Sequence, residues 1–292
     1  MTDGPIKWHG GKFNLAKRII ELFPPRAKNP NAPAENDSGW VHYVEPYFGG
    51  GQVLFANDPE GISEVANDMN GKLTNFWRVL AHEEFFGELQ RRMEATPFSE
   101  REYGRATSHK CWTGHDWQDE QRTMPCVDCA ESFFIHCRQS MSGRMDSFAP
   151  LTRNRTRRGM SEQASAWLNS IEGLPSAHAR LKRVVILNKP ALEVIKQQDG
   201  PRTLVYADPP YLHETRVTTG EYEHEMTEAD HAALLNVLGD IKGRFILSGY
   251  PSGLYEAAEL RNGWRHVDYD IANHSSSAKK KKRAIERVWL NF

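Results

Sequence analysis

Leu204-Val205-Tyr206-Ala207-Asp208-Pro209-Pro210-Tyr211 is the stretch that decides how the fold of this chain is interpreted. Four apolar or aromatic residues in a row are typical of a strand covered on both faces, as in the parallel sheet of an α/β protein. The two prolines end the strand, because neither has an amide hydrogen to continue the ladder. The sequence therefore predicts a buried strand that brings a carboxylate and an aromatic ring to one edge of a sheet.

The residues at the end of this strand offer a distinctive set of groups. Asp208 supplies a charged acceptor, the Pro209 carbonyl supplies a second acceptor, and Tyr211 supplies a flat face. Together they fit a planar ring that carries an exocyclic amino group. The alternative is a strand-to-loop turn that happens to be rich in proline, and the stretch by itself leaves that alternative open.

Composition narrows the class of protein. The 292 residues are 39% hydrophobic and 10% aromatic, enough for one large domain or for a core with a smaller domain. No apolar run approaches the roughly 20 residues that span a bilayer, and the first five residues do not resemble a secretion signal. We therefore expect a soluble, cytoplasmic protein with no membrane partner. The formal charge of −1 excludes a uniformly basic nucleic-acid binder, so phosphate affinity must come from local patches.

Two glycine-containing stretches predict a small-molecule site. In Trp8-His9-Gly10-Gly11-Lys12, paired glycines let the backbone pass close to a ligand between an aromatic ring and a cation, although a flexible helix entry is equally compatible. Residues 41–45 alternate as a strand and run into Pro46-Tyr47-Phe48-Gly49-Gly50-Gly51 and then a helix. Asp68 follows about twenty residues beyond Gly49, where dinucleotide-type folds place an acid on ribose hydroxyls. This pattern favours adenosine binding.

The middle of the chain differs in pattern. From residue 73 to about residue 183 we expect helices and polar loops, and from residue 184 strands return. Between residues 138 and 158 this segment contains six arginines with the single acid Asp146 among them: Arg138, Arg144, Arg153, Arg155, Arg157 and Arg158. Guanidinium groups suit phosphate oxygens and guanine edges, so the cluster predicts a DNA-binding surface. A solvated basic loop that pairs with acids elsewhere is the alternative.

Cysteine and histidine spacing raises the question of a metal. Cys111-x3-His115 is followed by Cys126-x2-Cys129, and four such ligands could complete a zinc tetrahedron. The interpretation that we favour is no metal, with Cys126 at the start of a helix and Cys129 on its buried face, since free cysteine often behaves as a small hydrophobe. Four cysteines also argue against a disulfide framework.

Local signals predict several further elements. Asn14 and Thr227 are the expected N-caps of two helices. Residues 212–225 form a polar loop that suits a lid, and Lys279-Lys280-Lys281-Lys282-Arg283 is expected to mark a mobile hairpin that could contact phosphate.

Four motifs in order resemble the alpha-group N6-adenine DNA methyltransferases, the DNA adenine methylase family. They are Trp8-His9-Gly10-Gly11-Lys12, Glu45-Pro46-Tyr47-Phe48-Gly49-Gly50-Gly51, Asn67-Asp68-Met69-Asn70 and Asp208-Pro209-Pro210-Tyr211. The resemblance implies an α/β, Rossmann-like S-adenosylmethionine-dependent methyltransferase sheet made from residues 1–72 and 184–292. Residues 73–183 would be an inserted, mainly helical target-recognition domain. The chain departs from the family pattern between Cys111 and Cys129.

The resemblance also implies site residues and partners. The cofactor would be S-adenosylmethionine and the partner double-stranded DNA, whereas a restriction enzyme partner is left undecided. The expected catalytic motif consists of Asp208, Pro209, Pro210 and Tyr211. The expected cofactor-binding residues are Trp8, Lys12, Glu45, Phe48, Gly49, Gly51, Asp68, Asn188 and Asp208.

The chemistry of these residues agrees with that reaction. The exocyclic nitrogen of adenine is a poor nucleophile because its lone pair is delocalised, and two acceptors on its hydrogens would draw that pair toward a methyl group. The base must also be rotated out of the duplex. The alternatives are an amino-methyltransferase acting on RNA or on cytosine N4, an idle DNA-binding protein with the same fold, and a dinucleotide oxidoreductase. The oxidoreductase is disfavoured because the full spaced glycine fingerprint is lacking.

Overall fold

The computed structural model describes residues 4–8, 10–110, 124–151, 154–212, 225–272 and 283–292. Several predictions concern positions outside these residues: Cys111, His115, Arg153, most of the proposed lid and residues 279–282. The chain divides into two compact units. The first unit comprises Met1–Leu22, Phe48–Glu60 and Ala66–Lys189, and the second comprises Phe23–Tyr47, Gly61–Val65 and Pro190–Phe292.

The described strands form one seven-stranded sheet and one separate pair. They are β1 (His42–Glu45), β2 (Ser63–Asn67), β3 (Thr156–Arg157), β4 (Met160–Ser161), β5 (Val184–Leu187), β6 (Thr203–Ala207), β7 (Arg244–Gly249), β8 (Arg265–Ala272) and β9 (Arg283–Leu290). The order in the sheet is β5-β2-β1-β6-β7-β9-β8, and β3 pairs with β4.

The described helices include six in the segment that was predicted to be mainly helical. The eleven are α1 (Ala16–Ile20), α2 (Gln52–Ala56), α3 (Gly71–Ala81), α4 (Glu83–Ala95), α5 (Glu100–Thr107), α6 (Val127–Gln139), α7 (Glu162–Glu172), α8 (Leu174–Leu181), α9 (Ala191–Gln198), α10 (Glu228–Asp240) and α11 (Gly253–Asn262). Among the described residues, no helix combines the length and the apolar character needed to cross a membrane.

Strand β6 is central to the second unit. It pairs in parallel with β1 on one side and with β7 on the other, with Val205 opposite both Val44 and Phe245. All five of its residues are buried, as expected for a strand covered on both faces. Strand β9 runs antiparallel to both β7 and β8. The prediction of a mostly parallel, Rossmann-like α/β sheet is therefore confirmed.

The order of the strands also indicates where a ligand would bind. Strands β2 and β5 follow β1 along one direction of the sheet, whereas β6 and β7 occupy the other, so the order reverses between β1 and β6. In open α/β sheets, ligands bind beyond the carboxyl ends of the strands at such a switch point. Glu45 is the last residue of β1, and Asp208 directly follows β6. The fold thus places these two acids at the expected ligand-binding edge.

Aromatic packing between α3 and α6 organises the first unit. Phe76 stacks on Phe134 with ring centroids 5.5 Å apart, and both side chains are fully buried. Helix α6 begins after Cys126, and Cys129 and Cys137 lie on its buried face, as the helical interpretation of residues 126–137 predicts. The residues between 73 and 183 all belong to this unit, and their role as a target-recognition domain stays a prediction.

The two predicted N-caps have different outcomes. Thr227 accepts a hydrogen bond from the Asp230 amide and completes a capping box with that residue, as predicted for α10. The prediction that Asn14 caps α1 is wrong. That helix begins at Ala16, its N-cap is Leu15, and the Lys12 carbonyl accepts from the amides of both residues. A backbone carbonyl thus has a role here that the sequence assigned to a side chain.

A short hairpin formed by β3 and β4 was not predicted. Two residues connect the strands, and both have positive φ: 55° at Arg158 and 74° at Gly159. This combination is typical of a type I′ turn, whose twist matches that of the flanking strands. Arginine is rarely found in this conformation, so Arg158 did not indicate a turn at this place in the sequence. The hairpin carries Arg157 and Arg158 from the predicted DNA-binding cluster.

Candidate active site

The glycine turn between β1 and α2 lies against the indole of Trp8 in the first unit. Gly49 has a φ of 48°, and a Cβ at this position would lie only 2.9 Å from two atoms of the Trp8 ring. A side chain at Gly50 would meet the Cβ of Trp8 at 2.8 Å. Only residues without a side chain fit here, so the two predicted glycine-containing stretches meet in space.

Asp68 accounts for the spacing between the glycine turn and the acid. Its Oδ2 accepts a hydrogen bond of 2.8 Å from the Gly49 amide, and its Oδ1 accepts one of 2.9 Å from the Asn70 amide. The indole of Trp77 donates to the Gly49 carbonyl at 3.2 Å. Asp68 therefore fixes the backbone of the turn from one side and Trp77 fixes it from the other.

Asn188 joins the same group of residues from the end of β5. Its Nδ2 donates to the Asp68 carbonyl at 2.6 Å, and the side chain is buried. Lys12 is also buried, with its ammonium donating to the Gly10 carbonyl at 3.0 Å. Phe48 packs its ring 5.2 Å from that of Trp77. The structure thus links the Gly49 turn, Asp68 and Asn188 by hydrogen bonds.

In the second unit, the side chains after β6 form a separate cluster. The Tyr211 hydroxyl lies 3.3 Å from Oδ1 of Asp208 and 3.0 Å from Oε1 of Glu286. The ring of Tyr250 meets that of Tyr211 edge-on, with centroids 4.7 Å apart. Pro209, which lies between Asp208 and Tyr211 in the chain, is buried. The aromatic ring of the predicted catalytic motif is consequently fixed beside its carboxylate.

Acidic residues dominate the electrostatics of this cluster. Glu45 is buried at the end of β1 and accepts a 2.7 Å hydrogen bond from the Tyr43 hydroxyl. Burial, together with the charges of Asp208, Glu286 and Glu45, raises the pKa of Tyr206 well above its ordinary value. Tyr206 therefore keeps its proton and shares a 3.1 Å hydrogen bond with Ser248. An environment with three carboxylates favours ligands that donate hydrogen bonds or carry positive charge.

Glu286 was missed by the sequence analysis. In β9, Glu286 alternates with Val288 and Leu290, and all three side chains are buried. Because side chains two apart in a strand share a face, a glutamate in register with two core residues is a recognisable signal. Acids almost never lie in a core unless they are paired, so the alternation in β9 could have identified Glu286 as a candidate site residue.

The sequence of the chain also matches a known protein family. A sequence model of the D12 class N6 adenine-specific DNA methyltransferases matches residues 8–275, a range that includes Trp8, Asp68 and Asp208. The chain belongs to this family. The predicted enzyme class, an adenine-specific DNA methyltransferase, is therefore confirmed, and methyltransferases of this kind generally use S-adenosylmethionine. No individual curated protein matches the chain.

The predicted DNA-binding arginines of this D12 methyltransferase fall into two groups. Arg155 and Arg157 expose 75% and 71% of their side chains, and each lies near Glu162, at 3.8 and 3.3 Å. Arg158, in the hairpin turn, pairs with Glu172 at 3.0 Å, which raises the pKa of its guanidinium. All three arginines are exposed and lie in or next to the hairpin, and Arg158 is held there by a two-point ion pair with Glu172.

Arg138 and Arg144 are placed differently. Arg138 donates to the Ala166 carbonyl at 3.1 Å, and burial lowers the pKa of its guanidinium. It borders a cavity of about 590 Å³ whose lining also includes Lys7 and Trp8. Arg144 is half-buried at the end of a short 3-10 turn. Arg138 therefore does not belong to the exposed surface around the hairpin.

The cysteine segment of the D12 methyltransferase is described only in part. Cys129 is buried, with its sulfur 3.4 Å from Nε2 of His109, and the backbone of Cys126 exchanges two hydrogen bonds with the Asn75 amide. In the part of the chain that the structure describes, no three His, Cys, Asp or Glu side chains are arranged to hold a metal. Cys111 and His115 lie outside that part, so the zinc alternative keeps its standing as a hypothesis.

Proposed function

We propose that this D12 methyltransferase is an alpha-group enzyme that transfers the methyl group of S-adenosylmethionine to N6 of adenine in duplex DNA. The target would lie in a short recognition sequence and would be rotated out of the helix before transfer. The observation that carries the proposal is the position of Asp208 and Tyr211. Both follow the buried central strand β6 at the switch point of the sheet, and the Tyr211 ring is fixed beside the carboxylate.

The residues after β6 suit the activation of an amino group. Asp208 and the Pro209 carbonyl would accept the two N6 hydrogens, which favours a pyramidal nitrogen with its lone pair directed at the methyl carbon. The face of Tyr211 would stack on the adenine ring. As the new nitrogen–carbon bond forms, the carbon–sulfur bond of the donor would break with its electron pair left on sulfur. The nitrogen, now cationic, would release a proton, for which Asp208 is the nearest proposed acceptor.

The carboxylates of the second unit support the same reaction. Positive charge develops on the target nitrogen during transfer, and fixed negative groups stabilise developing charge most strongly where water is excluded. Glu45 is buried, and the charges of Asp208 and Glu45 both contribute to the raised pKa of Tyr206. A field of this sign would disfavour an anionic substrate group and favour an amine.

The residues of the first unit fit the cofactor. Asp68 would accept from the ribose hydroxyls, Asn188 would lie by the adenine ring, and the turn at Gly49 would lie beneath the methionine part. The fit rests on the glycine turn, where a Cβ at Gly49 would collide with Trp8 and close the approach to the backbone. When bound, S-adenosylmethionine supplies an activated methyl group on a sulfonium.

The exposed arginines would hold the DNA. Arg155, Arg157 and Arg158 around the hairpin would contact phosphates or guanine edges, with Arg144 and Arg153 as further candidates, whereas the buried Arg138 would not take part. Rotating a base out of the stack costs a few kcal/mol, which such contacts offset. A cytoplasmic location belongs to this proposal because the DNA substrate would be there.

Expression in a host without adenine methylation tests the proposal directly. We expect sequencing of host DNA to show N6-methyladenine within one short sequence, and no modification when Asp208→Ala is expressed at the same level. In vitro, the purified protein should methylate duplex DNA in preference to single strands and RNA, as judged by digestion to nucleosides. Methylated RNA or N4-methylcytosine as the main product would overturn the proposal in favour of the corresponding amino-methyltransferase.

A further inference from the structure

We propose that Glu286 is a positioning residue for methyl transfer, because it accepts the hydrogen bond of the Tyr211 hydroxyl and so keeps Asp208 available to the target amino group. This inference rests on the function proposed above. It assigns a role to a residue of β9 that lies outside the four motifs and was not among the predicted site residues.

The first step of the argument is the number of protons. A tyrosine hydroxyl has one hydrogen and therefore donates to one acceptor at a time. Two carboxylate oxygens compete for it, Oε1 of Glu286 at 3.0 Å and Oδ1 of Asp208 at 3.3 Å. Whichever carboxylate receives the hydrogen has one acceptor position occupied. An acceptor position of Asp208 that the Tyr211 hydrogen occupies is not available to the hydrogens of an adenine amino group.

The second step is the difference in burial. Glu286 exposes only 4% of its surface, whereas Asp208 is half-buried. A hydrogen bond to a charged group is stronger where water is excluded than where water still reaches the group. The shorter distance to Glu286 agrees with this difference. The Tyr211 hydrogen therefore belongs to Glu286 in the resting site.

The third step is rigidity. Strand β7 lies between β6 and β9, pairing Ala207 with Leu247 on one side and Arg287 with Gly249 on the other. These ladders fix the carboxylate that follows β6 relative to the carboxylate on β9. The edge-on contact of Tyr250 with the Tyr211 ring, at 4.7 Å, restrains the phenol between them. The sheet therefore holds Asp208 and Glu286 in positions from which both carboxylates can accept the Tyr211 hydrogen.

Removal of the Glu286 acceptor should redirect the Tyr211 hydrogen to Asp208. We expect Glu286→Ala to lower the single-turnover rate of methyl transfer about tenfold, the size of a lost hydrogen bond to a charged group. The KM for S-adenosylmethionine and the affinity for DNA should change less than about twofold. Glu286→Gln retains a carbonyl acceptor for the phenol and should restore most of the rate.

The decisive experiment is a double-mutant cycle with Tyr211→Phe. Radiolabelled S-adenosylmethionine and unmethylated genomic DNA serve as probes, since the recognition sequence need not be known. In the Tyr211→Phe background no phenolic hydrogen exists, so Glu286→Ala should cause no further loss of rate. A purely structural role for Glu286 would instead produce the same loss in both backgrounds, and that result would overturn the inference.

Matched controls separate the possible failures. Asp268→Ala breaks the ion pair with Arg287 on the adjacent strands without touching Tyr211 and should leave the rate nearly unchanged. If Glu286→Ala does not fold, Glu286→Asp replaces it. That variant keeps the charge but withdraws the acceptor by one carbon–carbon bond, so its loss must again vanish with Tyr211→Phe. Absence of adenine methylation by the unaltered protein would refute the proposed function itself, whereas an active protein with no coupling refutes only the role of Glu286.

Discussion

Asp68 and Asp208 each follow a strand of the same sheet, yet they are held in different ways. Asp68 follows β2 and accepts hydrogen bonds from two backbone amides, those of Gly49 and Asn70. Asp208 follows β6, and its Oδ1 lies at the longer distance of 3.3 Å from a side-chain hydroxyl, that of Tyr211. An acid that binds backbone amides shapes a loop. An acid that meets a side chain can exchange that partner for a substrate, so we assign binding to the first and chemistry to the second.

The largest expected effect is that of Asp208→Ala. Because this change removes a proposed acceptor for the N6 hydrogens, the rate of methyl transfer should fall by at least about three orders of magnitude. DNA binding, measured by filter retention, should stay within a few-fold of the unaltered protein. Asp208→Asn retains one acceptor oxygen and should lie between the two. Near-normal turnover of the alanine variant would remove Asp208 from the chemistry and end the contrast with Asp68.

The next effect in size is that of Asp68→Ala. Two backbone amides lose their acceptor, so the glycine turn should loosen and the proposed ribose contact should disappear. We expect calorimetry to show S-adenosylmethionine binding weakened about 10- to 100-fold, with a lower melting temperature and a smaller change in kcat at saturating cofactor. Asp68→Asn, which keeps one acceptor, is the matched control. A loss confined to kcat would mean that both acids serve the chemistry.

The sequence predicted this contrast in outline because its signals are local. An apolar run ended by two prolines predicts strand β6 and the acid after it, and a glycine turn followed by Asp68 predicts the first-unit site. Helix α10 was predicted from Thr227 because a capping box is complete within four residues. In each of these cases, the residues that determine the structure lie close together in the chain.

What the sequence did not reveal depends on contacts between distant residues. Glu286 meets Tyr211 across 75 positions of sequence, and nothing near Glu286 indicates which side chain it faces. The acid partners of the arginine cluster come from α7, so a count of nearby charges had found only Asp146. At α1 the Lys12 carbonyl replaces a side-chain cap, and backbone hydrogen bonds of this kind leave no mark on composition.

Neutralising Arg155 and Arg157 should have a smaller effect, limited to binding. If each contacts one phosphate, the slope of the logarithm of DNA affinity against the logarithm of salt concentration should become shallower by up to about 1.8. The turnover of bound DNA should change little, unlike that of Asp208→Ala. Arg183→Ala, which breaks an exposed ion pair with Glu60 in the same unit, is the control. An unchanged salt slope would remove the hairpin arginines from the DNA interface.

The smallest expected effect is a change in the pH dependence of folding stability when His42 is replaced. The same variant serves as a control for the comparison of Asp68 with Asp208. Burial lowers the pKa of His42 below its ordinary value, although a hydrogen bond with Gln198 opposes the shift. The folded protein therefore favours the neutral ring. Its contribution is complete above the unfolded pKa of about 6.5 and is lost as the pH falls below that value. Urea midpoints measured at pH 7 and pH 5 should accordingly differ less in His42→Asn than in the unaltered protein.

His42 lies on β1 opposite Thr203, at the start of the strand that leads to Asp208. His42→Asn thus perturbs the stability of the same pair of strands without changing either acid. At pH 7 its rate of methyl transfer should remain within about twofold of that of the unaltered protein, because a small loss of stability leaves nearly all molecules folded. If the rate of His42→Asn instead fell as far as that of Asp208→Ala, disruption of the β1–β6 strand pair would be enough to explain the large effect of Asp208→Ala. The assignment of chemistry to Asp208 and of binding to Asp68 would then have no support from rates alone.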